Sequence, residues 1–254
     1  MSSLPSILAT AHWPAVAGAR YEVAVLPWGA TEPHNRHLPY ATDNVEADGI
    51  AAVAAERANA RGARVVVLPA VPFGVQTGQL DLPLAINLNP STQARVLADV
   101  VASVERAAIR KFVLFNGHGG NDFKQMMREL QPTTPVFLCS LNWWQVVDGR
   151  AFFDEPGDHA GELETSVMLH LRPDTVRPLS EAGDGAEKKP DMTGFRERWV
   201  WTQRPWTKVS ADTGIGDPRA ASADKGARYV DAVADRIAQF FVELSQGDPA
   251  SMYK

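Results

Sequence analysis

Four short apolar runs, separated by helix-like segments, constrain the fold of this chain more than any other feature. The runs are Val23–Pro27, Ala63–Pro69, Lys111–Phe115 and Pro135–Ser140. Continuous apolar runs of this length are typical of strands that are buried on both faces. Strands that alternate with helices form right-handed βαβ units, so the sequence predicts an α/β fold with a parallel sheet that helices cover on both faces.

Most segments between and after these runs have apolar residues at the three-to-four-residue spacing of helices. Two segments differ: Pro69–Pro90 is interrupted by glycine and proline and is predicted to be a loop or lid, and Ala182–Pro205 is polar and irregular. The predicted helices are Asp43–Asn59, Ser91 to about Ile109, Asp122–Leu130, Ser222–Leu244 and one that follows a loop within Gly157–Leu171.

Length and composition narrow the classes of function. In 254 residues without a linker we expect one domain, spanning residues 1–254. The formal net charge of −5 gives no reason to expect a nucleic acid or an anionic membrane as partner. A small-molecule substrate is therefore the expectation. The single cysteine, Cys139, excludes an internal disulfide and a cysteine-rich zinc site. Because Met1–Ser6 does not resemble a signal peptide and no run reaches transmembrane length, we expect a cytoplasmic protein.

Four potential metal ligands follow two of the predicted strands. Glu32, His34 and Asp43 come after the first run, and His118 follows the third between glycines. Each residue by itself also has an ordinary structural explanation. Asp43, for example, could be no more than the N-cap of a helix. Together they would meet where parallel strands end, which is where open α/β sheets build their sites. Carboxylate oxygens and imidazole nitrogens suit Zn²⁺, Mn²⁺ or Fe²⁺, so the set indicates a metal-dependent hydrolase.

Three sequence blocks, taken together, resemble the creatininase family. They are Gly29–Pro39 followed by Thr42-Asp43, then Asn116–Asn121, then His159–Ser166, in the order in which the family has them. The resemblance implies a three-layer α/β/α sandwich with a mainly parallel sheet and two adjacent divalent metal ions at the carboxyl ends of the strands. Zn²⁺ is the expected metal, with Mn²⁺ or Fe²⁺ as alternatives. It also implies a homo-oligomer, since relatives assemble as hexamers.

The same resemblance implies individual roles for the four ligands. Glu32 is expected on one metal, His34 on the other, Asp43 as the bridge between them, and His118 as a further ligand. A bridging carboxylate suits such a site because it offsets the repulsion between two dications.

The chain departs from creatininase itself just after His118. Creatininase has a Tyr-Glu pair there, and that glutamate is a metal ligand, whereas this chain has Gly119 and Gly120. We predict that Glu162 supplies the missing ligand. It stands one helical turn beyond His159, so both side chains would point the same way from a helix that begins near residue 160.

The third block also holds the predicted catalytic residues. His159 is expected to be the general acid/base, because an imidazole exchanges protons near neutral pH; its ordinary role would be to cap the following helix. Glu164 stands five positions from His159 and points elsewhere on an ideal helix. We predict that it supports catalysis by accepting a hydrogen bond from a metal ligand.

Three further residues are predicted to bind substrate. Asn35-Arg36 stands where relatives commonly have Gly-Pro or a similar pair, and Arg36 could clamp a substrate carboxylate or hydroxyl or simply be solvated. Trp143 and Trp144 follow the fourth run directly, so one of them could cover the pocket. Aromatic residues in the core are the alternative.

These features predict a binuclear metal-dependent amidohydrolase that cleaves an amide, formamide or cyclic C–N bond in a small polar substrate by a metal-activated hydroxide. Two alternatives stay open. One is a hydrolase that opens a keto-cyclitol or keto-sugar ring of the 3-dehydro-inosose type, which Asn35 and Arg36 would suit. The other is a noncatalytic metal-site scaffold in a cofactor-maturation pathway, against which the intact ligand set argues.

Overall fold

A four-stranded parallel sheet forms the centre of the protein in the computed structural model, which describes residues 4–253. Its order is β2-β1-β3-β4, and all three neighbouring pairs are parallel. The strands lie within the four predicted apolar runs or extend them by a residue or two. They are β1 (Val23–Trp28), β2 (Val65–Val67), β3 (Lys111–Asn116) and β4 (Phe137–Asn142).

Helices flank the sheet and connect its strands. The four long helices predicted outside the third block are present with ends within three residues of the prediction. The segments predicted to be irregular contain little regular structure besides one helical turn. The α-helices of the described residues are α1 (Trp13–Val16), α2 (Thr42–Ala60), α3 (Pro90–Arg106), α4 (Lys124–Leu130), α5 (Glu162–Leu171), α6 (Thr193–Arg196), α7 (Trp206–Val209) and α8 (Ala223–Gln246).

Successive residues of β1 point into two separate apolar cores. Val23 and Val25 pack into the core formed with α2, α5 and α8, whereas Ala24 and Leu26 pack into the core formed with α3 and α4. This alternation follows from the two-residue period of a strand. The sheet is therefore covered on both faces, and the predicted α/β/α sandwich with a parallel sheet is confirmed. No helix of residues 4–253 combines the length and the apolar character needed to cross a membrane.

Two glycines bring the start of α2 against the carboxyl ends of the central strands. A Cβ atom on Gly29, after β1, would lie 2.8 Å from the backbone nitrogen of Asn44. One on Gly117, after β3, would lie 2.8 Å from the carbonyl oxygen of Asp43. Real side chains do not tolerate such contacts, so glycine is required at both positions. The two strand ends and the first turn of α2 thus meet at one point of the sheet edge.

Two long irregular segments cross this same edge and are joined to each other. The backbone nitrogen of Trp206 donates to the carbonyl oxygen of Gly78 at 2.9 Å. A Cβ atom on Gly78 would collide with the carbonyl oxygen of Arg204. The Pro69–Pro90 loop and the end of the 182–205 segment therefore form one rim above the sheet edge.

Candidate metal centre

The four predicted ligands meet at the carboxyl edge of the sheet. Glu32 and His34 lie in the loop between β1 and α2, Asp43 lies in the first turn of α2, and His118 follows β3. All four side chains are buried. Burying two carboxylates with two imidazoles is costly unless they neutralise one another or hold a cation.

Asp43 lies between the two histidines and faces each with a different oxygen. Its Oδ1 atom is 2.8 Å from His34 Nε2, and its Oδ2 atom is 2.9 Å from His118 Nδ1. The same His118 nitrogen is 2.9 Å from Glu32 Oε1. The donor atoms of Glu32, Asp43 and His118 all lie within 4.8 Å of one another, which is close enough to hold one ion.

Glu164 completes a second group of three. Its carboxylate, with His34 and Asp43, offers donor atoms that lie within 4.8 Å of one another. Asp43 belongs to both groups, so the two candidate ion positions are adjacent. Glu164 is held by the backbone nitrogen of Ala160, which donates to its Oε2 atom.

The structure corrects the prediction that Glu162 supplies the missing ligand. Glu162 Oε1 accepts a hydrogen bond from Lys225 Nζ at 2.5 Å, and its Oε2 accepts one from the backbone nitrogen of Glu155 at 2.9 Å. Both oxygens are therefore engaged away from the ligand groups. Glu162 ties α5 to α8, whereas the Glu164 carboxylate lies beside His34 and Asp43.

The reason is where α5 begins. Gly161 is its N-cap, and Ala160 has a left-handed backbone with φ of 51°. His159 therefore precedes the helix, and helical spacing does not relate its direction to that of Glu162. A spacing argument holds only for residues within one helix.

The structure also explains why residue 120 is a glycine rather than the glutamate of creatininase. A Cβ atom on Gly120 would collide with His118 Nε2 and with the carbonyl oxygen of Val75. The Pro69–Pro90 loop thus occupies the space that a longer side chain would need. A glutamate cannot be accommodated there while this loop contacts His118.

Each histidine of the site bonds to a backbone carbonyl through one ring nitrogen. His34 Nδ1 lies 3.0 Å from the carbonyl oxygen of Glu32, and His118 Nε2 lies 3.1 Å from that of Val75. A carbonyl oxygen only accepts, so these nitrogens carry the hydrogen and the other nitrogen of each ring is free to bind an ion. Such bonds fix the orientation and tautomer of metal-binding histidines.

His159 follows the same pattern, but its free nitrogen lies farther from the carboxylates. Nε2 donates to the carbonyl oxygen of Pro33 at 2.9 Å, and Nδ1 lies 3.9 Å from Glu32 Oε1. The ring packs between His34, with centroids 4.1 Å apart, and Trp206, with centroids 5.2 Å apart. His159 is therefore held with an available nitrogen beside the ligand groups.

A cavity of about 110 Å³ opens next to these groups. Trp143, Trp144, His159 and Glu164 all line it, so the two predicted tryptophans stand where substrate would enter. Trp143 is buried, and its Nε1 atom has no hydrogen-bond partner within residues 4–253. Arg36 is exposed, and its guanidinium makes no hydrogen bond or ion pair within the described part of the chain.

Comparison with known proteins assigns the chain to a family. The family model described as creatininase, creatinine amidohydrolase, matches residues 9–241. The chain belongs to the creatininase family. It is 30% identical to the mycofactocin precursor peptide peptidase of Mycolicibacterium smegmatis over 85% of this chain and 84% of that protein. It is 27% identical to the creatinine amidohydrolase of Pseudomonas putida over 86% of this chain and 90% of that protein.

Solved structures of the creatininase family have the same fold. A Bacteroides fragilis protein named after creatinine amidohydrolase is 42% identical, with a TM-score of 0.93 over 98% of this chain and 99% of that protein. A manganese form and a Zn–Zn form of creatininase give TM-scores of 0.77 and 0.76 at 23% and 24% identity, each over 95% of this chain and 99% of theirs. These matches confirm the resemblance inferred from the three sequence blocks.

The electrostatics of this creatininase-family site suit a bound cation. Burial alone would lower the pKa of His34, yet the neighbouring Asp43 carboxylate raises it to about 10. Glu32 and Asp43 likewise raise the pKa of His118 well above its usual range against the effect of burial. The pKa of Glu32 is lowered: burial by itself would raise it, but His118 and His159 outweigh that. In the ion-free protein, protons on the histidines therefore balance the carboxylates, and a dication would replace them.

Sequence reasoning missed two polar residues of the site. Gln79 Nε2 donates to Glu32 Oε2, although Gln79 belongs to the Pro69–Pro90 loop. Glu46, on the inner face of α2, is buried, and neither of its carboxylate oxygens has a hydrogen-bond partner among residues 4–253. Burial raises the pKa of Glu46 well above its usual range, and the nearby Glu164 and Asp43 carboxylates raise it further. Glu46 could have been noticed as a carboxylate among the alanines of an otherwise apolar helix face.

Proposed function

We propose that this chain is a binuclear metal-dependent amidohydrolase that cleaves the C–N bond of an amide. The observation that carries the proposal is the position of Asp43, which belongs to two adjacent three-residue ligand groups. Glu32, Asp43 and His118 would hold one divalent ion, and His34, Asp43 and Glu164 would hold the other. Bound there, two dications would lower the pKa of a shared water and polarise the carbonyl group that it attacks.

His159 is the proposed general acid/base. Its Nε2–H stays bonded to the carbonyl oxygen of Pro33, so the ring accepts a proton at Nδ1, the atom that faces Glu32. The same Nδ1–H can then protonate the departing nitrogen, since the ring lines the cavity. General acid/base catalysis of this kind is worth roughly 10²–10⁴-fold in rate.

The relatives with the higher sequence identity favour hydrolysis of an amide, whereas a 3-dehydro-scyllo-inosose hydrolase of Thermotoga maritima is 23% identical over 90% of this chain and 79% of that protein. The curated relatives reported above are named as a peptidase and an amidohydrolase. A pure scaffold would have no need of a histidine that lines the cavity with a free nitrogen. Zn²⁺ is the proposed metal, and Mn²⁺ or Fe²⁺ would accept the same donor atoms.

The test combines metal analysis with a substrate panel. Protein reconstituted with Zn²⁺, Mn²⁺ or Fe²⁺ should bind two ions per chain and hydrolyse members of a panel of N-acyl amino acids, formamides and lactams. The panel should also contain keto-cyclitols. Turnover of keto-cyclitols alone would replace the amidohydrolase proposal by ring opening, and two bound ions without any turnover would favour the scaffold.

The resemblance to the family also leads us to propose a homo-oligomer, specifically a hexamer, in the cytoplasm. Sedimentation velocity at micromolar concentration should show a species six times the 27.6 kDa chain mass. A single monomeric species would remove this part of the proposal.

A further inference from the structure

Arg204 lies at the rim of the cavity. Its Nη1 atom donates to Asp158 Oδ2 at 2.6 Å, and Asp158 is one of the residues that line the cavity. The guanidinium also stacks on the ring of Trp206, with its central carbon 4.6 Å from the ring centroid. Trp206 in turn packs edge-on against His159. Arg204 thus contacts the cavity lining directly at Asp158, and it is linked to His159 of the lining through Trp206.

The platform beneath Arg204 is fixed by two hydrogen bonds. Trp206 donates from Nε1 to the carbonyl oxygen of Thr213 and from its backbone nitrogen to that of Gly78, both at 2.9 Å. Trp206 is itself buried. A guanidinium that stacks on a fixed aromatic ring has a defined plane, so its remaining donors point in a defined direction.

Those remaining donors are available to a ligand. The Nε and Nη2 atoms of Arg204 make no hydrogen bond within residues 4–253. The pair with Asp158 is solvent-accessible, with side chains 43% and 44% exposed, and exposed ion pairs of this kind are weak. A ligand carboxylate could therefore bind to the free donors of Arg204. Little binding free energy would be lost if the ligand also displaced Asp158.

The cavity itself is too small for most of a substrate. Its volume of about 110 Å³ is well below the roughly 300–1,000 Å³ of sites that enclose a whole small molecule. Only the bond to be cleaved and a small neighbouring group can enter. A substrate larger than the cavity would extend to the rim, where Arg204 offers a positive charge.

We propose that Arg204 binds a free carboxylate of the substrate, so that the preferred substrates are amides that carry a carboxylate close to the bond cleaved. This inference rests on the proposed amide hydrolysis. Arginine suits the role because its planar fork pairs with both oxygens of a carboxylate. The substrate class is that of N-acyl amino acids, which includes the C-terminal end of a peptide.

Binding of an uncleavable ligand pair tests the proposal without any need for turnover. The two ligands are N-methanesulfonylglycine and its uncharged carboxamide. In both of them a sulfonamide replaces the amide bond that the enzyme would cleave. Calorimetry on the metal-loaded protein should show tighter binding of the carboxylate. Arg204→Gln should weaken carboxylate binding about 10–100-fold, the loss of a hydrogen-bonded charge pair, and leave carboxamide binding unchanged. Arg204→Lys should fall between because it retains charge without the fork.

A matched control comes from another exposed pair. Arg172 Nη2 lies 2.9 Å from Asp174 Oδ2 beyond the far end of α5, and Arg172→Gln should leave binding of both ligands unchanged. Equal binding of the two ligands by the unmodified protein, an equal loss of both in Arg204→Gln, or no binding of either would overturn the proposal. Discrimination in binding without turnover of any amide would instead retain the role of Arg204 and reject the hydrolase.

Discussion

The floor of the site and its rim are built in different ways. On the floor, Glu32, His34, Asp43 and His118 are buried, and strand ends, the first turn of α2 and backbone carbonyls hold them. The rim consists of irregular chain. It includes the exposed Trp199 and Trp201, and the hydrogen bond from Trp206 to Gly78 joins its two segments.

We infer from this difference that the floor binds the ions and the rim selects the substrate. The floor tolerates little change, because each side chain there is packed on every side and contacts an oppositely charged neighbour. The rim offers exposed charges and aromatic rings that can change without disturbing the sheet. We therefore expect floor substitutions to abolish ion binding and rim substitutions to alter which substrate is used.

The strongest test of the floor is removal of its shared carboxylate. Asp43→Ala should lose both ions and all turnover, because Asp43 contributes to both ligand groups. Glu32→Ala and His34→Ala should each weaken mainly one ion. Metal content after dialysis, measured by mass spectrometry, decides the point. Near two ions per chain in Asp43→Ala would refute the bridge.

The two glutamates of α5 give the next largest effect and a matched pair. Glu164→Gln should lose one ion and turnover, since a neutral amide neither balances a dication nor holds it as tightly. Glu162→Gln should keep both ions, because its partners are Lys225 and the backbone of Glu155. If Glu162→Gln were the variant that lost an ion, the ligand assignment proposed above would be reversed.

His159 should separate catalysis from ion binding. His159→Ala should retain both ions while kcat falls roughly 10²–10⁴-fold, the usual contribution of a general acid/base. The donor atoms of Glu32, His34 and His159 also lie within 4.8 Å of one another. Loss of an ion in His159→Ala would therefore indicate that His159 is itself a metal ligand.

Glu46 provides the smallest effect, and it appears in stability. Its pKa is raised by burial, then by Glu164 and Asp43, so the folded protein holds this proton to higher pH than the unfolded chain. The stability that the proton contributes is complete below about pH 4.5 and is lost as pH rises through the folded pKa. Glu46→Leu should therefore stabilise the ion-free protein by about 1–3 kcal/mol at pH 8.

Urea unfolding at pH 5 and pH 8 measures this change. The gain from Glu46→Leu should be larger at pH 8 than at pH 5. The exposed Glu197 of the rim is the matched control, and Glu197→Leu should change the free energy of unfolding by less than about 0.5 kcal/mol at either pH. A gain that does not grow with pH would show that the Glu46 carboxyl is not the cause.

The sequence by itself determined the sheet and most of the floor. Val23–Trp28 and Lys111–Asn116 could be recognised as strands because burial on both faces demands a continuous apolar run, which is a local property. Glu32, His34, Asp43 and His118 follow from those strands, since the carboxyl ends of parallel strands meet at one edge. The family resemblance added the prediction that Asp43 bridges two ions, which local spacing alone does not imply.

Only the tertiary structure decided between the two glutamates and built the rim. Glu164, not Glu162, lies beside His34 and Asp43 because Ala160 has a left-handed backbone and α5 begins two residues later than predicted from the sequence. Helical spacing cannot reveal such a turn. Gln79 reaches Glu32, and Arg204 reaches Asp158, across 47 and 46 residues of sequence. Contacts of that range depend on how irregular segments pack against each other, and no local pattern of residues encodes them.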